Sequence, residues 1–305
     1  MFISNNNGKS NGNSPWNLTR ASIDALVKAI EAGGDQIFSS YLRTMARFHN
    51  YSARNAILIA AQRPNATHLE GVRSWNELGR FVRPGEKGIY IFAPTVGATS
   101  RRNDSAPDAG VKKTGKGKKA AEPVAQPVSP EPQLLGFRGV YVFDIEQTGG
   151  EEVPHTLRHL DIGKATETLI QFAQSQSLTV EQVPWIAPHK ATSYRGTIRI
   201  LPGLEPAEEF PALLREVAGQ MLFLAQRRTS VTRALHLQET KAAAFMVAEA
   251  LQLECKAEFS DCQLYYGDAG MLAESLQVVH RAAAAILRAI SPETGEFIQI
   301  AQEVN

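Results

Sequence analysis

Residues 89–144 read IYIFAPTVGATSRRNDSAPDAGVKKTGKGKKAAEPVAQPVSPEPQLLGFRGVYVFD, and the two ends of this stretch differ in character from its middle. At the ends, Ile89-Tyr90-Ile91-Phe92-Ala93 and Arg138-Gly139-Val140-Tyr141-Val142-Phe143 alternate aliphatic with aromatic side chains, the two-residue period of a strand. Successive strand side chains point to opposite faces. Ile89 and Ile91 therefore oppose Tyr90 and Phe92, and Val140 and Val142 oppose Tyr141 and Phe143. Paired side by side, the two strands present one aliphatic and one aromatic face. Residues 97–134 contain Pro107, Pro123, Pro127, Pro130 and Pro132, with five lysines between Lys112 and Lys119 and almost no large apolar residue. Such a segment buries too little surface to offset its ordering entropy, so a disordered insertion linking adjacent strands is expected, its lysine run solvated or grazing phosphates.

Upstream, Arg83-Pro84-Gly85-Glu86-Lys87-Gly88 reads as a turn. Apolar spacing predicts helices from Ser22 to Gly33, from Gln36 to His49, from Ser52 to Gln62 with Ser52 as N-cap, and a short one from Ser74 to Arg80. Residues 1–17, rich in Asn, Ser and Gly, read as a flexible tail. Downstream of Gly149-Gly150, taken as a hinge, helices are expected over Ala165–Ser175, Glu208–Arg227, Leu235–Leu253 and Leu272–Ile290, with short strands over Leu178–Val183 and Thr197–Leu201. The expected class is α+β: amino-terminal helices with a small antiparallel sheet, then a helix-dominated domain over 151–305.

The whole chain has 305 residues, 43% hydrophobic, and a net charge of +1. That total hides +7 over residues 1–150 and −6 over 151–305, the pattern of a nucleic-acid module beside a separate domain. No apolar run approaches the roughly 20 residues of a membrane span, and the amino terminus has no apolar signal core. Two cysteines, Cys255 and Cys262, make no disulfide framework and lack zinc-knuckle spacing. A cytoplasmic protein is expected. No Walker-type lysine loop, dinucleotide fingerprint or nucleophile-elbow serine occurs.

Tyr51-Ser52-Ala53-Arg54-Asn55-Ala56-Ile57-Leu58-Ile59, Ser74-Trp75-Asn76-Glu77-Leu78-Gly79-Arg80, Val82 to Ile89, and Phe137 to Asp144 with Gln147-Thr148 follow one another in an order that resembles the amino-terminal domain of the ArdC-type antirestriction proteins. The resemblance spans about residues 15–150. It implies a single-stranded-DNA-binding domain, carried by a mobile genetic element, that protects incoming DNA from restriction. The candidate contacts are Tyr51, Arg54, Asn55, Arg73, Trp75, Arg80, Arg83, Lys87, Tyr90, Phe92, Arg138, Tyr141, Phe143 and Gln147. Aromatic side chains serve such binding as stacking platforms and cations pair with phosphates; the same aromatic face could instead be core, and Asn55 or Gln147 could contact a base edge or cap local backbone.

The resemblance also implies a carboxy-terminal zinc-peptidase-like domain with a His-Glu-x-x-His helix and a later glutamate ligand. In that motif two histidines one turn apart hold Zn²⁺ while the glutamate acts as general base. Here the position reads Arg215-Glu216-Val217-Ala218-Gly219, so only a vestigial Glu216 remains, and Lys241 aligns with the later ligand, with Glu239 two residues away. Arginine and lysine do not ligate zinc at neutral pH. The expectation is a pseudoenzyme without metal or cofactor, Glu216 pairing with Arg215 or Lys241. The competing readings are a hydrolase whose metal site is rebuilt from His236, Glu239 and Glu216, and a protein–protein scaffold.

Overall fold

The computed structural model describes residues 15–97, 133–153, 160–186, 188–227, 230–255, 259 and 261–291. Most of the expected tail and of the lysine-rich insertion lies outside them. The fold is α+β.

Three helices open the described chain: α1 (Pro15–Gly33), α2 (Asp35–Arg47) and α3 (Ala53–Gln62). α1 starts at Pro15, ahead of the expected Ser22, because proline's fixed φ suits a first helical turn. α3 starts where the N-cap predicts, with Ser52 Oγ accepting from the Asn55 N–H at 3.3 Å. β1 (Leu69–Glu70), α4 (Val72–Glu77), β2 (Arg80–Val82), β3 (Ile89–Gly97) and β4 (Gln133–Asp144) follow, then a 3-10 turn over Ile145–Gln147 and β5 (Thr148–Gly150). β4 lies between β1 and β3 in one sheet, with Leu69 opposite Asp144.

The expected hinge at Gly149-Gly150 is instead a strand. β5 pairs antiparallel with β2, Phe81 opposite Gly149. Gly150 has φ 132°, and a Cβ there would lie 2.3 Å from the Gly79 carbonyl oxygen, so backbone crowding rather than flexibility requires the glycine.

Beyond residue 150 come α5 (Ile162–Ser175), β6 (Thr179–Gln182), β7 (Ala191–Tyr194), β8 (Thr197–Ile200), α6 (Pro206–Leu224), α7 (Arg233–Ala250) and α8 (Ala269–Ile290). β8 sits between β6, which it parallels, and β7, which it opposes. α5 and α7 are capped by Asp161 and Thr232, which accept from the N–H groups of Lys164 and Leu235 at 3.1 and 3.2 Å.

Helices from both sides of residue 150 share one apolar cluster: Ile30, Phe38 and Ile57 pack in it with Leu169, Phe210, Phe245 and Leu276. Phe259 bridges the halves, its ring edge-on to Phe38 at 5.2 Å and to Phe245 at 5.4 Å. The charge asymmetry at 150 therefore does not mark a division between cores. The compact unit joins the chain up to Phe92 with the chain from Gly139 onward, and Ala93–Arg138 forms a second unit. A smaller cluster takes the aliphatic strand face: Ile89, Ile91 and Val142 with Phe48, Ile59 and Leu69.

At the end of β4 the buried Asp144 gathers the loop after α3. Its Oδ1 accepts from the N–H groups of Thr67 and His68 at 2.9 and 3.1 Å, and its Oδ2 meets Arg63 Nε at 3.3 Å. Its own N–H donates to Gln147 Oε1 at 3.0 Å, closing a capping box.

His280 is buried on α8, and burial pushes its imidazole down from the ordinary 6.5 to about 4, with His49 and Arg288 as further positive neighbours. The unfolded chain binds a proton there that the native chain refuses. This contribution to stability is complete above pH 6.5 and is lost as pH falls toward 4. Urea unfolding of wild type across that window is expected to show a falling free energy, and His280→Gln a shallower fall; equal slopes would refute the assignment.

Candidate nucleic-acid interface

The aromatic faces of β3 and β4 converge. The ring of Tyr90 stands 6.0 Å from that of Phe92 at 74°, and 5.3 Å from that of Tyr141 at 66°, both edge-to-face. Tyr141 is 62% exposed, while Tyr90, Phe92 and Phe143 are half-buried. The Arg54 guanidinium lies over the Phe92 ring, 5.5 Å from its centroid. A Cβ at Gly139 would fall 1.9 Å from the Tyr90 hydroxyl oxygen, so only glycine there lets the ring lie across β4. The result is a partly open, hydroxyl-bearing ring array with a cation at one end.

On one side β3 pairs with β4; on its outer side no strand holds it. β3 is an edge of its sheet, and its outward backbone groups are taken by two side-chain amides of α3. Asn55 Oδ1 accepts from the Phe92 N–H at 3.0 Å and its Nδ2 donates to the Phe92 carbonyl at 2.8 Å. Gln62 treats Tyr90 the same way, both bonds at 2.9 Å, and its Nε2 also donates to Leu58 O at 2.9 Å.

The remaining sequence-derived candidates fall into three groups. Trp75 and Gln147 are sealed. Trp75 is 0% exposed and donates to the Phe143 carbonyl at 2.9 Å, so its faces are not open to a base. Gln147 Nε2 donates to Glu86 Oε2 at 3.0 Å and to the Lys87 carbonyl at 2.9 Å. Tyr51 packs edge-on to Phe48 at 5.8 Å, and burial with nearby Glu70 pushes its hydroxyl up to about 12. Asn55, as above, is committed to β3 rather than open to a base edge.

Among the cations, Arg80 is held inward: Nε donates to Thr148 Oγ1 at 2.8 Å, and the guanidinium also reaches the Glu151 carbonyl. Arg83 contacts the Glu146 carbonyl and Glu86. Arg73 pairs with Glu77 at 3.0 Å on an exposed turn of α4. Lys87 is exposed one residue before Gly88, whose Cα faces the side chains of Tyr141 and Phe143. Arg138 belongs to the second unit. Sequence reasoning passed over Gln62 and Gly139. The seven-residue spacing of Asn55 and Gln62 on one helix face, and the interruption of an alternating strand at Gly139, were the available signals.

The cleft of the second half is rearranged around its carboxylates. Glu216 Oε2 accepts from Ser193 Oγ at 2.8 Å, and its Oε1 faces the Arg215 guanidinium at 3.3 Å. Gln220 donates to Ser193 Oγ at 3.0 Å and accepts from the Gly196 N–H at 3.2 Å. Gly219 faces α7: a Cβ would meet Thr240 at 3.4 Å and His236 Nε2 at 3.7 Å. Burial lowers the His236 imidazole below its ordinary value. Lys241 is exposed, so the expected Glu216–Lys241 alternative has no counterpart in this arrangement.

Glu239 is fully buried and taken up entirely by other groups. Arg227, just past the end of α6, donates to both its oxygens, at 2.7 Å from Nη1 to Oε2, and Ser275 Oγ donates to Oε1 at 2.5 Å. The burial of Arg227 and the bidentate geometry make this a desolvated, charge-assisted pair. Arg215 and Gly219 offer no ligand atom, and of His236, Glu216 and Glu239 both carboxylates are already paired, which does not fit a divalent cation. Among the described residues no three His, Cys, Asp or Glu side chains are grouped to hold a metal ion.

Residues 17–128 match the family model described as the N-terminal domain of anti-restriction factor ArdC. Two crystal structures of the antirestriction ArdC protein from the R388 plasmid share the fold. The metal-free form is 14% identical and the Mn(II)-bound form 16%, each over 90% of this chain and 98% of theirs, with a TM-score of 0.52. No curated protein matches the chain. The likeness read from the motifs thus holds: the chain carries an ArdC-type amino-terminal domain within an ArdC-like fold.

Removing one partner of the Arg227–Glu239 pair leaves a buried charge unpaired. Arg227→Met is expected to cost about 3–5 kcal/mol in denaturant unfolding, and the double variant Arg227→Met/Glu239→Leu to recover most of it. A loss under about 1 kcal/mol for the single variant would show the pair to be solvated.

Proposed function

We propose that this protein binds single-stranded DNA through the aromatic face of its ArdC-type domain, as an antirestriction protein of a mobile genetic element. The observation that carries this reading is the array of Phe92, Tyr90 and Tyr141, partly open to solvent, with Arg54 over one ring. Every base has a π-face, so stacking on such rings tolerates any sequence and is worth ~1–3 kcal/mol per base. In a duplex the faces are already stacked on one another, which selects for unpaired strands. Arg54, with Lys87 exposed three residues before Tyr90 and Arg83 half-exposed, supplies phosphate partners, and release of counterions makes such binding fall with salt. Trp75, Gln147 and Asn55 serve this site from behind, as supports.

The peptidase-like half, on this reading, carries no hydrolytic chemistry and acts as scaffold, in a protein of the cytoplasm. Glu216 would need to be free to take a proton from water, and instead both of its oxygens are engaged by Ser193 and Arg215. No helix among the described residues is long and apolar enough to cross a membrane.

Fluorescence anisotropy with a labelled oligothymidylate is expected to show binding at low salt that weakens steeply as salt rises. Tyr90→Ala and Tyr141→Ala should each weaken it about five- to a hundred-fold, the equivalent of one stacked base, and a duplex of equal length should compete poorly. Absence of single-strand binding at low salt would overturn the reading. A chelator is expected to leave the thermal midpoint unchanged, whereas stoichiometric zinc retained through dialysis would revive the hydrolase alternative.

A further inference from the structure

We infer that Asn55 and Gln62 are the positioning residues of this interface, holding the stacking rings by their backbone and touching no nucleotide. The inference rests on the DNA-binding reading above.

An edge strand exposes a row of unpaired N–H and C=O groups. On β3 the outward-facing groups of Tyr90 and Phe92 are each met by a whole amide, one bond accepted and one donated. These two residues are the ones whose rings form the aromatic face on this strand. α3 runs antiparallel to β3, since its earlier residue, Asn55, meets the later strand residue, Phe92. Seven residues along a helix advance ~10.5 Å, while two along a strand advance ~6.7 Å. Gln62, one methylene longer than Asn55, makes up part of the difference, and its third bond, to Leu58 O, braces it against its own helix.

A backbone held at both N–H and C=O fixes the direction of its Cα–Cβ bond. With Gly139 leaving room beneath the Tyr90 ring, the rings keep their geometry without DNA, and binding then loses little further conformational freedom. The same amides close the edge of β3 to strand addition by another chain.

Asn55 is buried and starts the helix, so Gln62→Met, at an exposed helical position, is the decisive variant: methionine keeps length and helix preference but makes neither bond. Affinity for labelled oligothymidylate is measured over a salt series for wild type, Gln62→Met, Tyr90→Ala and the double variant. Gln62→Met is expected to weaken binding about five-fold at every salt. The slope of log Kd against log salt should stay unchanged, since no phosphate contact is lost. In the Tyr90→Ala background the same substitution should add nothing, because the ring it positions is gone.

Unchanged affinity in Gln62→Met, an equal loss in both backgrounds, or a shallower salt slope would each overturn the inference while leaving the DNA-binding reading intact. Wild type that binds no oligothymidylate, or a Tyr90→Ala variant that binds as wild type does, would remove that reading and this inference with it.

Discussion

The large helical core and the smaller strand cluster meet at α3. Six successive residues, Asn55 to Ala60, are buried, so this ten-residue helix has no solvent face through its middle. Ala56 and Ile57 enter the large helical core, Ile59 enters the small core under the strands, and Asn55 is spent on the backbone of β3. A helix hydrophobic on nearly all sides is stable only when wrapped. Here α2, α1 and α8 wrap it on the helical flank and the sheet on the other. The arrangement also solves the edge problem of β3, whose outer side meets a helix rather than a second strand. The aromatic array is thus a consequence of how α3 packs, since the same contact buries Ile89 and Ile91 and turns Tyr90 and Phe92 outward.

The second half obeys a different constraint, the need to neutralise carboxylates inside an apolar helix bundle. Glu239 on α7 is fully buried, and a lone carboxylate there would be untenable. Arg227 and Ser275 satisfy it. Glu216, closer to the surface, is met by Arg215 and by Ser193, which Gln220 in turn orients. Both of these acids thus stand against protein cations. Around these pairs the core is apolar, with Phe210, Val217, Phe245 and Leu276 among its members.

Several elements were legible in the chain because their signals are local. Ser52 at an N-cap, the alternation around Tyr90 and Tyr141, and the apolar spacing of Phe210, Leu213, Leu214 and Val217 all depend on near neighbours in sequence, and each element lies where it points. Errors gathered where the deciding partner is remote. Gly149-Gly150 reads as a hinge until β2 is seen to pair with it. α6 stops at Leu224 rather than at Arg227: the backbone turns extended at Ala225, and Arg227 beyond it meets Glu239 on the next helix. The charge step at residue 150 does not mark a break in the core, because the cluster shared across it is apolar.

The sequence by itself determined the α+β class, the main helices and the two alternating strands, and the likeness to ArdC, since each is a property of residue type and spacing. Tertiary structure alone decided what the polar residues are for. Asn55, Gln147, Trp75 and Arg80 look like DNA contacts when only their chemistry is known, and each is occupied by a backbone group that the chain supplies from far away: Phe92, Lys87, Phe143 and Glu151. A hydrogen-bonding group has the same formula whether it awaits a ligand or is already bonded. Only the fold brings its partner within reach.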